Sequence, residues 1–600
     1  MLPNKVPRCQ RIEITGGVDT TALPLRVISS AINQDPLGKH AVALYRNWLD
    51  NCLASHAECS TAVSSILPRR LVDINHSPES IRVTETGGKD IRYAAFSYCW
   101  GGHEPPKALE ANIAQRQVGF PLRELPQSFI DLITLLRALE IHYIWIDSLC
   151  ILQDNIDDWE TESAKMGEIY RNAVITIIAA TSANPDVSFL SSRKYGLWTE
   201  VVVEGESGQK LPYYYREHPQ HPEDRDATSG CAIVRRAWCY QERLMAPRKL
   251  VFRQHEAVWE CRNGCHCEDK GSEPIGIVSG ILQTLYQPLN VPQAGTAVFN
   301  TAAKAYEIWR DNVETFSSRK LTVATDRLPA ITSLASTVAE FTGDHYLAGL
   351  WEGDLLHGLM WGVDSDVVPG LFADYVAPTW SWAYLSSEVV YEYINKLAFG
   401  DELDLVAPFV YCDLALVEAY CPSKGLNNPF GAVQHGFLRL EAFYCDVEVE
   451  LCDDSDREME VYRTDLGLPG LKLSIAPDTN GIFDMMTVHQ FTMYSYDHRL
   501  ENDGSYCALN PKTITTLQRS RDLEQSACTG QCRLLWLMEE CCLILTQSQH
   551  HIHAYERLGI LQFRRPRPGY LATPWLAECI SMPLLKDCGI EIQYGEVKLV

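Results

Sequence analysis

Trp238 and Glu242 stand four residues apart in the stretch RRAWCYQERLMAP, residues 235–247. On a helix, that spacing puts an indole plane and a carboxyl on one face. Two readings are open. One is a packed Trp beside a Glu neutralised by Arg236 or Arg243; the other is an aromatic wall beside a catalytic carboxylate. Thiols are the next candidates. Cys99 and Cys150 each fall near the end of an apolar run, but a thiol nucleophile needs a base in reach. His103 and His142 are near them only in sequence. Metal ligands come in two clusters: Cys52, His56 and Cys59, and then Cys261, Cys265, His266 and Cys267 in CRNGCHC. Zinc wants four tetrahedral ligands, and neither cluster has standard finger or knuckle spacing. A zinc site would have to be built between them; reduced cysteines in a turn is the simpler expectation, so no metal ligand is assigned here.

These residues need elements to position them. YAAFSY (93–98) is a short apolar run ending in the turn signal CWGG. PQSFIDLITLLRALE follows, with Phe129, Leu132, Ile133, Leu136 and Leu139 at helical spacing. YIWID (143–147) reads as a buried strand. NIDDWETESAKMGEIYRNA reads as one helix, with Asp157 and Glu160 as a capping-box variant and Trp159, Met166, Ile169 and Tyr170 near one stripe. VITIIAATSA (174–183) is a third strand. Strand and helix alternating, with continuous apolar strands, predict an α/β domain with a parallel sheet covered on both faces. Ligands of such sheets bind beyond the carboxyl ends of the strands, here 97–102, 147–154 and 181–183. The polar stretch 190–230 reads as an insertion or long loop, and KLVFRQHEAVWEC as a strand pair.

Around this core, 600 residues predict several domains. Residues 1–90 read as a lead-in that is helical only over HAVALYRNWLDNCLASHAEC, 91–270 as the α/β domain, 271–430 as a mainly helical, Trp-rich region, and 431–600 as β-rich. The formal charge of −25 disfavours nucleic acid or an anionic membrane as partner, since both need a cationic face. The first residues lack an apolar signal core and no apolar run is long enough to span a bilayer, so the expectation is a cytoplasmic protein with reduced thiols.

Three blocks together, YAAFSYCWGG, YIWIDSLCILQDNIDDWETESAKMGEIYRNAVITIIAA and RAWCYQERLMAPRKLVF, resemble the HET domain, the heterokaryon-incompatibility domain of filamentous fungi. The resemblance is strong over 91–255. It implies a role in self/non-self recognition and in programmed cell death after fusion of unlike hyphae. More weakly, the order of elements resembles the Toll/interleukin-receptor (TIR) domain, a flavodoxin-like parallel sheet with flanking helices. Phe96-Ser97-Tyr98 ends the first strand, Asp147 ends the second, and Trp238-Cys239-Tyr240-Gln241-Glu242 matches W-C-x-x-E. Arg243 departs from the Leu that follows in that family, and the insertion before the helix is long.

Where TIR domains are enzymes, that Glu serves cleavage of NAD, so the resemblance implies Glu242 as the catalytic carboxylate of an NAD hydrolase. The nicotinamide leaving group is cationic and departs neutral, so the reaction needs no general acid. A carboxylate stabilises the oxocarbenium-like ribose. Trp100 and Trp238 would contact rings, and Ser97, Gly101 and Asp147 would hold polar parts of the nucleotide. No resident cofactor is implied, and no Gly-x-Gly-x-x-Gly fingerprint is present. The alternative is a non-enzymatic platform that works through self-association or a protein partner, with Glu242 a structural ion pair.

Overall fold

The computed structural model describes residues 12–16, 35–59, 66–193, 199–204, 210–217, 232–254, 256–268, 297–362, 372–391, 414–425, 428–450, 472–474, 529–538, 541–547, 554–562 and 593–600. The chain divides into two compact units, Met1–Gly295 and Thr296–Val600. The His-rich segment 550–553 lies outside the described residues.

The first unit opens with β1 (Ile12–Gly16), α1 (Lys39–Ser55), β2 (Arg70–Asp73) and β3 (Ser80–Glu85). Next come β4 (Ala94–Ser97), α2 (Ile113–Val118), β5 (Phe120–Pro121), α3 (Gln127–Ala138) and β6 (Tyr143–Trp145). Then follow α4 (Asp147–Cys150), α5 (Ile156–Ala164), α6 (Met166–Asn172), β7 (Ile175–Ile178), β8 (Thr199–Glu204) and β9 (Lys210–Glu217). The unit closes with α7 (Trp238–Met245), β10 (Arg248–Phe252), β11 (Ala257–Cys261) and β12 (Gly264–Cys267).

Nine of these strands form one sheet in the order β12-β11-β10-β7-β4-β6-β2-β3-β5. The middle is parallel: β10 runs with β7, β7 with β4, and β4 with β6. Counted along the chain, these four strands lie second-first-third-fourth, the flavodoxin-like order. Their side chains explain the burial. Ala94, Ala95 and Phe96 on β4 and Ile175 and Ile177 on β7 are all buried, as strands covered on both faces require. The flanks are antiparallel, with β2 against β6 and β11 against β10. The lead-in before residue 91 therefore contributes more than a helix, since β2 and β3 belong to the sheet and α1 packs Tyr45, Trp48 and Leu49 into its core.

Three local features differ from the sequence reading. The single helix expected over 155–173 is two helices meeting at Lys165, whose N–H bonds Glu162 O at 3.1 Å. The break lets Glu162 and Ser163 bury from α5 while Met166, Ile169 and Tyr170 bury from α6. The cap is Asn155, which accepts from Asp158 N at 2.9 Å; Asp157 falls inside the first turn, so it is no capping-box residue. Part of the expected insertion is a β8–β9 hairpin paired with β1 in a separate three-stranded sheet. Its Val201–Val203 and Tyr213–Tyr215 runs are β-branched and aromatic, types that favour strands.

The second unit begins with α8 (Ala297–Ser317) and α9 (Thr332–Thr342), which pack together, followed by the small hairpin β13 (Tyr346–Leu347) and β14 (Leu350–Trp351). Trp309 and Trp382 both donate to Gly349 O, at 3.0 and 2.9 Å, and Trp380 and Trp382 are fully buried, so the Trp-rich stretches pack into this unit's interior. A seven-stranded sheet drawn from residues 415–599 completes it. Among the described residues, no helix is long and apolar enough to cross a membrane.

Candidate active site

In a sheet of this order a ligand crevice lies outside the carboxyl ends of the first and third parallel strands, where the connections diverge to opposite faces. Here those strands are β4 and β7. Ser97 is the last residue of β4, in register with Ile178 of β7. The backbone then turns through Gly101, whose φ of +58° favours glycine. A Cβ there would also sit 2.0 Å from Ala183 O, so the turn is pressed against the segment that leaves β7.

α7 delivers Glu242 to this edge. A 3-10 turn over Ala232–Arg235 leads into it, and Ala246, extended before Pro247, ends it. The helix packs against α6 and β4. Its approach is fixed by Arg236, whose Nη1 donates to Tyr98 O at 2.7 Å, and by Cys239, whose thiol faces the same carbonyl at 3.7 Å. Glu242 is only 5% exposed. Burial pushes its carboxyl up to about 7, and the nearby Asp147 carboxylate pushes the same way. The Ser97 and Tyr170 hydroxyls and the Arg236 guanidinium pull it back. Glu242 Oε2 and Ser97 Oγ are buried without a hydrogen bond of normal geometry, so each retains unused capacity.

Asp147 begins α4. Its Oδ1 accepts from Ser148 N at 2.7 Å and its Oδ2 from Trp100 Nε1 at 3.2 Å. Burial pushes this carboxyl up too, against Arg236 and its own hydrogen bonds. Burial also works against the Arg236 cation, yet Cys239, Glu242, Asp147 and Cys99 around it outweigh that and hold it protonated. The result is two carboxyls sharing one arginine, the arrangement that spreads protonation states apart.

Of the residues singled out by sequence, Ser97, Trp100, Asp147 and Glu242 converge. Gly101 serves the turn, and Trp238 is half-buried and meets Trp159 edge-on, ring centroids 6.3 Å apart. The thiols are poorly placed for nucleophilic work. Burial pushes the Cys99 and Cys239 thiols up and that of Cys150 to about 12. His103 faces Asp186 at 3.0 Å on the surface, and His142 is exposed while Cys150 is fully buried. Two contributors escaped the sequence reading. Arg236 looked like a partner for one carboxylate and acts on two. Tyr170 looked like core, and is 1% exposed, but its hydroxyl donates to Phe96 O at 2.9 Å and faces Glu242. A tyrosine in an apolar helical stripe carries no signal that its tip meets a strand end.

Glu242 is thus brought by α7 to the strand ends that Ser97 and Asp147 mark, in the order β4, β6, β7, α7. Residues 93–242, which span this whole arrangement, match the family described as Heterokaryon incompatibility protein (HET). The chain carries a HET domain. The match covers a quarter of the chain, and it begins after β2 and β3 and ends before β10, so the HET domain's sheet is completed by strands outside it. No curated protein and no solved structure matches the chain.

Proposed function

We propose that this heterokaryon-incompatibility-type protein acts in non-self recognition and a cell-death response by hydrolysing NAD or a related nucleotide, with Glu242 as the catalytic carboxylate. The observation that carries this reading is the Glu242 carboxyl, raised to about 7 and left with an unused oxygen at the switch point of the sheet. Water adds at the ribose carbon, the glycosidic bond to the nicotinamide nitrogen breaks, nicotinamide leaves neutral, and one proton is released. The carboxylate of Glu242 stabilises the oxocarbenium-like ribose. Ser97 and Asp147 hold polar groups of the nucleotide, Gly101 keeps the backbone turn beside them, and Trp100 and Trp238 supply ring faces.

The burial of Glu242 beside Arg236 favours a second reading, a HET domain that signals by self-association or by binding a protein partner, with the carboxyl held structurally. One assay separates them: NAD consumption by the purified full chain, dilute and clustered, with wild type beside Glu242→Gln and Glu242→Ala, folding checked by circular dichroism. The enzyme reading expects turnover to fall about 100-fold or more in both folded variants. In wild type it expects turnover to rise as pH passes upward through about 7, because the charged carboxylate is the working form. Absence of turnover in every wild-type sample, clustered ones included, would overturn the NAD-hydrolase reading and favour the platform.

A further inference from the structure

The two Cys/His clusters of the sequence do not stay apart, nor do they merge completely. Cys52, His56, Cys59 and Cys261 bring one ligand atom each to within 4.8 Å of one another. Cys265 and Cys267 instead join a small apolar cluster with Val251 and Val258, and His266 sits opposite Trp259 on the edge strand. The cluster is assembled by ordinary local geometry. Cys52 lies in the last turn of α1, and His56, four residues on, shares its face and closes the helix by donating its N–H to Cys52 O at 3.2 Å. A 3-10 turn over Ala57–Cys59, with Cys59 N bonded to His56 O at 3.1 Å, folds the second thiol back. Cys261 arrives from the end of β11, paired with Gly264 in the tight hairpin to β12.

We infer that Cys52, His56, Cys59 and Cys261 bind a structural zinc ion. Buried reduced cysteines are commonplace as small apolar side chains. Three thiols and an imidazole nitrogen converging from segments two hundred residues apart are not explained by packing. Cys261 Sγ lies 3.5 Å from His56 Nδ1. Zinc–sulfur and zinc–nitrogen bonds at a tetrahedral angle set that separation at about 3.6 Å. Cys52 and Cys59 are fully buried and Cys261 nearly so, which suits a closed structural site with no open position. Three soft thiolates with one imidazole select zinc over the hard divalent cations. Such a centre carries one net negative charge. The buried Arg248 guanidinium donates to Cys59 O at 2.8 Å and to Val174 O at 2.6 Å, placing a cation behind the ligand loop and tying it to the sheet. Zinc here would clamp the end of α1 to the β11 corner, outside the segment that matches the HET family.

The test is metal analysis of the full chain, made under reducing conditions in zinc-replete medium. The expected result is about one zinc ion per chain. Replacement by cobalt(II) should give the visible bands of a tetrahedral site and thiolate charge-transfer absorption. Cys52→Ser and Cys261→Ser should lose the metal, and Cys265→Ala should keep it. The cobalt spectrum of the wild-type chain serves as the reading if the serine variants fail to fold. Metal-free wild type that gives no cobalt bands would overturn the inference. So would a folded Cys261→Ser variant that retains stoichiometric zinc.

Discussion

Two buried glutamates lie on neighbouring elements and meet opposite fates. Glu260 on β11 is 1% exposed and fully engaged: Arg243 Nε and Nη2 reach its two oxygens at 3.3 and 2.5 Å. Burial works against its charge, but Arg243, Lys249 and Arg253 outweigh it and hold the carboxyl below its ordinary range. Glu242, on the helix that supplies Arg243, is left with a carboxyl at about 7 and an unpartnered oxygen. The same helix thus satisfies one carboxylate and leaves the other with one oxygen outside any hydrogen bond of normal geometry. That difference separates a group held for stability from one kept at a cost, and such costs concentrate where chemistry or switching happens.

The sharpest way to break the comparison is to remove the satisfied carboxylate. Glu260→Ala breaks the ion pair with Arg243 and removes the negative charge that favours the buried Lys249 cation. It should lower stability by about 3 kcal/mol, the lower end for a broken buried pair because Arg243 is one-third exposed; denaturant titration reads it. Because the folded Glu260 is depressed below its ordinary value of 4.5, its contribution is present above that pH and is lost as pH falls through the folded value. Glu242 behaves in the opposite sense. Its folded value is raised from 4.5 to about 7, so stability is highest below 4.5 and declines as pH rises through 7. Glu242→Gln removes that penalty. It should be nearly neutral at pH about 4 and more stable than wild type at pH about 8, by up to roughly 3 kcal/mol. A Gln variant less stable than wild type at high pH would show that the carboxylate is a structural partner after all. The smallest effect sharpens the picture: Asp147→Asn removes the neighbouring negative charge, so the Glu242 midpoint should move downward, followed by the infrared carboxylate band or by the pH profile.

Much of the central sheet was legible. Short apolar runs flanked by amphipathic helices marked β4, β6 and β7, because strands buried on both faces leave no polar alternation to confuse with anything else. RRAWCYQERLMAP was legible as a helix with Trp238 and Glu242, and Ser97 and Asp147 as strand-end residues. Three things were hidden. RLVD (70–73) is a four-residue strand with charged ends, and only its place between β6 and β3 makes it one. Arg243 was a candidate partner of Glu242 until the fold turned it toward Glu260, a choice made by tertiary packing. Cys261 was separated from its three companions by the whole domain, and the neighbours that seemed to belong with it face the other way.

The position of β10 has a consequence for synthesis. It pairs directly with β7 in the parallel core, yet it follows Glu242 in the chain. A ribosome therefore finishes the carboxyl before it has made the strand that completes the parallel core beside β7, and before Glu260 exists to capture Arg243. Nascent or prematurely terminated chains carry Glu242 without the strands that complete the sheet around it. If Glu242 does the proposed hydrolysis, broken messages and stalled translation would yield inert fragments rather than stray activity.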